Sequence, residues 1–261
     1  MLLAHGTAAW SAIWDKSSQP IAKAGYLATP FDMPPFGWSE HSADNDYSRK
    51  KQADRIIALL KALDDRPIVV AHSVGAAPVS EAILRRPDLV KGYIIVAGAI
   101  GLKTPPEPGE VPLPLRNSTI REILTSATAT NPLLTQTFLR NFMHRKDAAT
   151  SEMVAALQEP MKRLGYTKAV SAWVPELFAT APDAISLQAA SWTKLDLPVH
   201  LIWGTEDTVT PLAQGEMLRD IIPGAKLTIL TEVGHIPHLE APEEFNEALL
   251  GALDAISAQN Q

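Results

Sequence analysis

The chain has 261 residues, 46% of them hydrophobic, so a folded protein with one sizeable core or two smaller ones is expected rather than disorder. Its net charge is −6 and its 23 basic residues form no dense cluster, which argues against nucleic acid or an anionic membrane surface as the main partner. It has no cysteine, which excludes disulfides, thiolate zinc sites and cysteine nucleophiles but leaves the compartment undecided, with the cytoplasm as the default expectation.

No signal peptide and no apolar run of the roughly 18 residues a membrane span requires is present. Residues 1–4 read as a strand already under way, so residues before it are expected. A loop at His5-Gly6-Thr7-Ala8-Ala9 leads to a helix over 10–24, and residues 25–29 to a second strand. Asp32-Met33-Pro34-Pro35-Phe36-Gly37-Trp38-Ser39 is a turn punctuated by Pro and Gly. Ile56, Ile57, Leu59, Leu60 and Leu63 recur at helical spacing and predict a helix over 47–63. A short apolar run, Pro67-Ile68-Val69-Val70, reads as a buried strand that turns through Ala71-His72-Ser73-Val74-Gly75 into a helix over 76–86. Pro78, just inside that helix, is expected to loosen its second turn. Residues 93–97 are another continuous apolar run. Such runs, alternating with helices, predict an α/β fold: a mostly parallel sheet with helices on both faces.

The alternation stops at 103. Pro105, Pro106, Pro108, Pro112 and Pro114 form a stiff connector, and helices are expected near 118–127, 132–144, 151–164 and 168–179. The strand pattern returns at 198–203 and 225–230, with helices over 211–222 and 242–256. The segment 103–191 therefore reads as a helical cap inserted in a core made of 1–102 and 192–261; a second, independent helical domain is the alternative.

A serine among small residues on a tight strand-to-helix turn has its hydroxyl pushed clear of the backbone, and the helix beneath it offers unpaired N–H groups. A serine that merely caps a helix is the plainer reading of Ser73. Asp207 follows a later strand and His235 the last one. In an open parallel sheet, the loops at the strand carboxyl ends converge on one crevice, so the three can meet there. Asp207 competes with its neighbour Glu206 and with Asp196, and His235 competes with His238. His235 and His238 could also be imagined as metal ligands with Glu240, but no third ligand at a fitting spacing accompanies them, so neither a metal nor a cofactor is expected. His5 and His72 read as structural, Asp32 as a pin for its loop, and Trp10, Trp14, Trp38 and Trp203 as core.

The ordered set His5-Gly6-Thr7, the turn at 32–39, Ala71-His72-Ser73-Val74-Gly75, Trp203-Gly204-Thr205-Glu206-Asp207 and Gly234-His235-Ile236-Pro237-His238-Leu239-Glu240-Ala241-Pro242 resembles the α/β-hydrolases over almost the whole chain. The resemblance implies Ser73 as nucleophile, His235 as base and Asp207 as its orienting acid, in the chain order Ser, Asp, His. It also implies the backbone N–H groups of Thr7 and Val74 as an oxyanion hole. Against the family pattern, Ala71 replaces the first Gly of the elbow and the first two strands are missing. The strand near Tyr26 would then be an exposed edge, for which a homodimer contact is one cover.

Relatives that use Asp at the elbow cleave alkyl halides and epoxides; a serine there points to acyl transfer. The first expectation is a carboxylic-ester hydrolase acting on a small to medium apolar ester. The second is a carbon–carbon bond hydrolase of the ring-cleavage type, although Ile236 stands where those relatives commonly carry Trp. The third is a ligand receptor on the same fold. The expected partner in each case is a small molecule.

Overall fold

The computed structural model describes residues 1–102, 109–178, 181 and 183–259. Six parallel strands make one sheet: β1 (Leu2–Ala4), β2 (Thr29–Phe31), β3 (Ile68–His72), β4 (Gly92–Val96), β5 (Val199–Gly204) and β6 (Lys226–Leu230), in the spatial order β2-β1-β3-β4-β5-β6. Helices α1 (Asp15–Lys23), α2 (Arg49–Ala62), α3 (Ala76–Arg85), α10 (Leu212–Ile221) and α12 (Pro242–Gln259) cover it, with the short α11 (Pro237–Glu240) leading into α12.

Side chains of a strand alternate between its faces, so a strand buried on both sides must be apolar at every position. Val69, Ala71, Tyr93, Ile95, Leu201 and Trp203 pack with residues of α2, α3 and α10. Ile68, Val70, Ile94, Val96 and Ile202 pack on the opposite face with α1 and α12. The predicted sandwich is therefore present. Each fully buried aliphatic side chain of this kind contributes about 1.5–3 kcal/mol.

The second strand begins only at the end of the 25–29 stretch expected to lead into it. Gly25 has φ +86 and its N–H closes back on Ala22, so it ends α1 instead of starting a strand. The strand forms only at Thr29–Phe31, at the edge of the sheet, where Pro30 can sit because the open side needs no donor.

Between β4 and β5 the described residues hold no strand. They form α4 (Leu113–Arg116), α5 (Ser118–Ala127), α6 (Thr135–Phe142), α7 (Ser151–Gln158), α8 (Tyr166–Trp173) and α9 (Ala189–Trp192). The helix predicted over 151–164 is cut short because Pro160 lies in a 3-10 turn after Gln158. Pro105, Pro106 and Pro108 of the predicted connector, and Ala179 at the predicted end of a helix, lie outside the described residues. Leu139, Met143 and Leu157 of this segment join the same apolar cluster as Ile13 and Leu239, and Trp173 meets Phe36 edge-on at 4.8 Å.

Two smaller expectations are corrected. Pro78 is the third residue of α3, and its missing N–H is one that no helix pairs, so it loosens nothing. Trp14 and Trp203 are fully buried, but Trp38 is 55% exposed, with the Arg163 guanidinium 5.8 Å from its ring centroid.

Candidate active site

β3 and α3 meet at Ser73, whose backbone has φ +53. A non-glycine residue is uncommon in that left-handed region, and its cost is borne where it aims a side chain. The elbow closes tightly. A Cβ on Gly75 would collide with the His5 carbonyl oxygen, and one on Gly6 would lie 2.9 Å from the Ser73 Cβ. Neither the elbow turn nor α3 has a side-chain cap, so Ser73 is not a capping serine.

Its Oγ lies 2.8 Å from His235 Nε2, and His235 Nδ1 lies 2.9 Å from Asp207 Oδ2. All three are buried. The carboxylate fixes the tautomer: Nδ1–H donates to Asp207, which leaves Nε2 to accept the Ser73 hydroxyl. Asp207 is itself held. Its Oδ1 accepts the N–H groups of Val209 and Thr210 at 2.9 and 2.8 Å, and its Oδ2 is 2.7 Å from Thr210 Oγ1. Burial pushes the Asp207 carboxyl upward, but the hydrogen bond and charge of His235, with the Thr210 bonds, outweigh it and leave the group below the ordinary carboxylate range. The competitors stand elsewhere. Glu206 and Asp196 are exposed, and His238 is stacked on Trp14 at 4.4 Å.

The loop bearing His235 is anchored by a side chain whose role the sequence did not disclose. Glu240 is buried, and its Oε1 accepts the N–H groups of Gly234, His144 and Arg145 at 3.0, 2.9 and 2.7 Å. It therefore staples the histidine loop to the segment after α6, whose Phe142 carbonyl accepts the His235 N–H at 2.9 Å. Both of its oxygens accept backbone donors. Glu240→Ala strands one buried donor, the Gly234 N–H, and two part-buried ones, and is expected to lower unfolding stability by about 2 kcal/mol or more, with Glu240→Gln costing about 1 because one oxygen remains to accept. Urea unfolding of the two variants checks the order.

His5 and His72 have the structural places expected of them. His5 accepts the Met33 N–H on Nε2 at 2.9 Å and donates from Nδ1 to Gly6 O at 2.8 Å; His72 donates from Nε2 to His235 O at 2.9 Å. Asp32 pins its loop through the N–H groups of Ser11 and Trp38, each at 2.7 Å. Burial, aided by His235, pulls His72 down to about 3, and burial also lowers His238 well below the imidazole range. An unfolded chain thus binds protons at these sites that the folded one refuses. Stability is full above about pH 6.5 and falls below it, by about 1.4 kcal/mol per pH unit for each such histidine. Unfolding free energies at pH 7, 6 and 5 are expected to show this fall, and His72→Asn to flatten it by about one proton.

Two cavities adjoin the elbow. One, about 310 Å³, runs from Gly6 and Val74 to Arg49 and Glu176; the other, about 170 Å³, is lined by Thr7, Ile236, Phe138, Leu139, Phe142 and Met161. Val74, one expected oxyanion donor, borders the first cavity and Thr7, the other, borders the second.

A parallel sheet carrying a serine on a strained elbow, with a histidine and a carboxylate brought to it from later strands, has the layout of an α/β-type hydrolase. The sequence profile of the alpha/beta hydrolase fold matches residues 1–242, and the chain belongs to this family. It is 26% identical over 231 residues to the uncharacterized hydrolase YugF of Bacillus subtilis (strain 168), covering 87% of this chain and 80% of that one. It is 25% identical over 231 residues to a 2-hydroxymuconate semialdehyde hydrolase of Pseudomonas putida, covering 86% of this chain and 77% of the relative. Among solved structures it resembles the meta-cleavage product hydrolase CumD of Pseudomonas fluorescens IP01, in a mutant form complexed with acetates. That match has a TM-score of 0.80 at 21% identity, covering 97% of this chain and 90% of the other. Among the described residues no helix is long and apolar enough to cross a membrane.

Proposed function

We propose that the protein is a serine hydrolase that cleaves a carboxylic ester through an acyl-enzyme on Ser73. The hydrogen-bonded chain from Ser73 Oγ through His235 to Asp207 carries this reading. A serine hydroxyl is a weak nucleophile at neutral pH and needs a base within reach. His235 Nε2 takes the hydroxyl proton as Oγ attacks the carbonyl carbon, and the imidazolium is stabilised by Asp207. The carbonyl oxygen becomes an oxyanion, which the N–H groups of Thr7 and Val74 stabilise; a lost donor costs about 10²–10³ in rate. His235 then gives its proton to the departing alkoxide. Water, deprotonated by His235, attacks the acyl carbon, and Ser73 leaves with the proton back on its oxygen. The segment 103–191 acts as a cap, whose apolar side chains Phe138, Leu139 and Phe142 shape the smaller cavity for the apolar part of the substrate.

A panel of p-nitrophenyl esters of increasing acyl length tests this reading. Hydrolysis that depends on Ser73 supports it; equal rates for wild type and Ser73→Ala end it. A fluorophosphonate probe separates it from a receptor role, for which a folded sample would not label at Ser73.

The likeness to a 2-hydroxymuconate semialdehyde hydrolase favours a second reading, carbon–carbon bond hydrolysis with the same three residues. Ile236 follows His235 where such enzymes commonly carry Trp, which keeps this reading second. Rapid bleaching of a coloured dienol ketone, with inert esters, would reverse the order.

A further inference from the structure

Arg49 is the first residue of α2, after the Ser48 cap. A cation there meets the positive end of the helix dipole, so the helix itself gives no reason for it. The guanidinium is half-buried. It donates from Nη1 to Ser186 Oγ at 3.1 Å, and its Nη2 lies 3.8 Å from the place a Cβ on Gly101 would take. Burial works against its charge, and Glu81 and Glu176 work for it. Yet no carboxylate of the described residues reaches ion-pair distance of it. Glu81 is engaged elsewhere, accepting the Ser186 N–H at 2.9 Å. Burial raises the Glu176 carboxyl. A half-buried, fixed guanidinium with donors to spare lines the same cavity as Val74, the residue after the nucleophile.

The two ends of that cavity are linked by a short path. The Ala99 N–H donates to Ser73 O at 2.9 Å, and Gly101, beside Arg49, is two residues further on. Two residues span at most about 7 Å, which with the two contacts puts the charge no more than about 15 Å from the elbow. An occupant that reaches from Ser73 to Arg49 and ends in an anion would satisfy both ends, since a planar guanidinium matches a carboxylate in two parallel hydrogen bonds.

We propose that Arg49 determines specificity for a substrate bearing a carboxylate remote from the bond that is cleaved, held in the cavity between the elbow and α2. This rests on the hydrolase reading of Ser73 and adds to it the charge and reach of the substrate. The carboxylate stands either on the acyl part or on the alcohol part, and the test separates the two.

Methyl half-esters of glutarate, adipate and suberate are compared with their uncharged amide isosteres. In a second arm, butyrate esters of 4-hydroxybutanoate are compared with the corresponding amide. The quantity read is the ratio of kcat/KM between charged and uncharged partners. Both are cleaved by the same folded fraction, so the ratio does not depend on how well a variant folds. The wild type is expected to favour the charged partner at least tenfold in one arm, chiefly through KM, because a remote contact is made equally in ground and transition states. Arg49→Gln is expected to bring that ratio to about one and Arg49→Lys to leave part of it. Glu176→Gln, which removes a competing carboxyl, is expected to raise it. A wild-type ratio near one in both arms, or an unchanged ratio in Arg49→Gln, overturns the proposal. Calorimetry of adipate with the Ser73→Ala protein, with and without Arg49→Gln, covers the case in which no ester is cleaved. Arg49-dependent binding there upholds the anion site while the esterase reading falls; its absence overturns the anion site as well.

Discussion

Ser73→Ala is expected to lower kcat for the best ester by about 10⁴–10⁶, leaving only what binding and the oxyanion donors supply. The size of the loss follows from the geometry. Ser73 Oγ is the atom 2.8 Å from His235 Nε2, and removing it leaves the base nothing to deprotonate on the protein. The fold is expected to survive, since alanine retains the Cβ and tolerates the same backbone as serine, and the Ser73 carbonyl still accepts the Ala99 N–H. Steady-state kinetics with circular dichroism checks both halves. A variant that is folded and keeps more than about a hundredth of the wild-type rate would remove Ser73 from the mechanism.

Asp207→Asn is expected to cost about 10⁴ in kcat with little change in substrate binding. Asp207 Oδ1 accepts two backbone N–H groups, so an asparagine must keep its oxygen on that side. Its NH₂ then faces His235 Nδ1 and Thr210 Oγ1, where the carboxylate oxygen stood. Two donors cannot share that contact. The imidazole must therefore place its proton on Nε2 and point it at the Ser73 hydroxyl, which leaves no base there. A fall in kcat with KM held, together with retained cooperative unfolding, is the expected pattern. Equal loss in a variant that has come unfolded would instead make Asp207 a structural carboxylate.

Much of this was legible beforehand. Continuous apolar runs at 68–70 and 93–97 stated that strands were buried on both faces, and small residues around Ser73 stated the elbow. The departures have physical causes that a periodic pattern does not carry. Gly25 takes a left-handed conformation that ends α1 and delays the second strand to Thr29. Trp38 is apolar in composition but lies on a surface turn. Glu240 had no role assigned to it, the metal reading with His235 and His238 having been set aside, and its oxygens are used by three backbone amides, one near it in the chain and two from the segment after α6. The Asp207-Thr208-Val209-Thr210 stretch does carry a local signal. An aspartate that accepts N–H groups two and three residues on is an Asx-type turn, and it foretells how that carboxylate is held.

By itself the sequence determined the parallel sheet, the helices on its faces, and the serine, aspartate and histidine with the strands they follow, because those are local patterns of polarity and backbone preference. Only the tertiary structure decided which carboxylate meets His235, what staples its loop, and that Arg49 shares a cavity with the elbow. These are contacts between distant parts of the chain, 162 positions apart for Ser73 and His235, fixed by how helices pack on the sheet. Spacing along a chain does not encode a distance between side chains that only packing brings together.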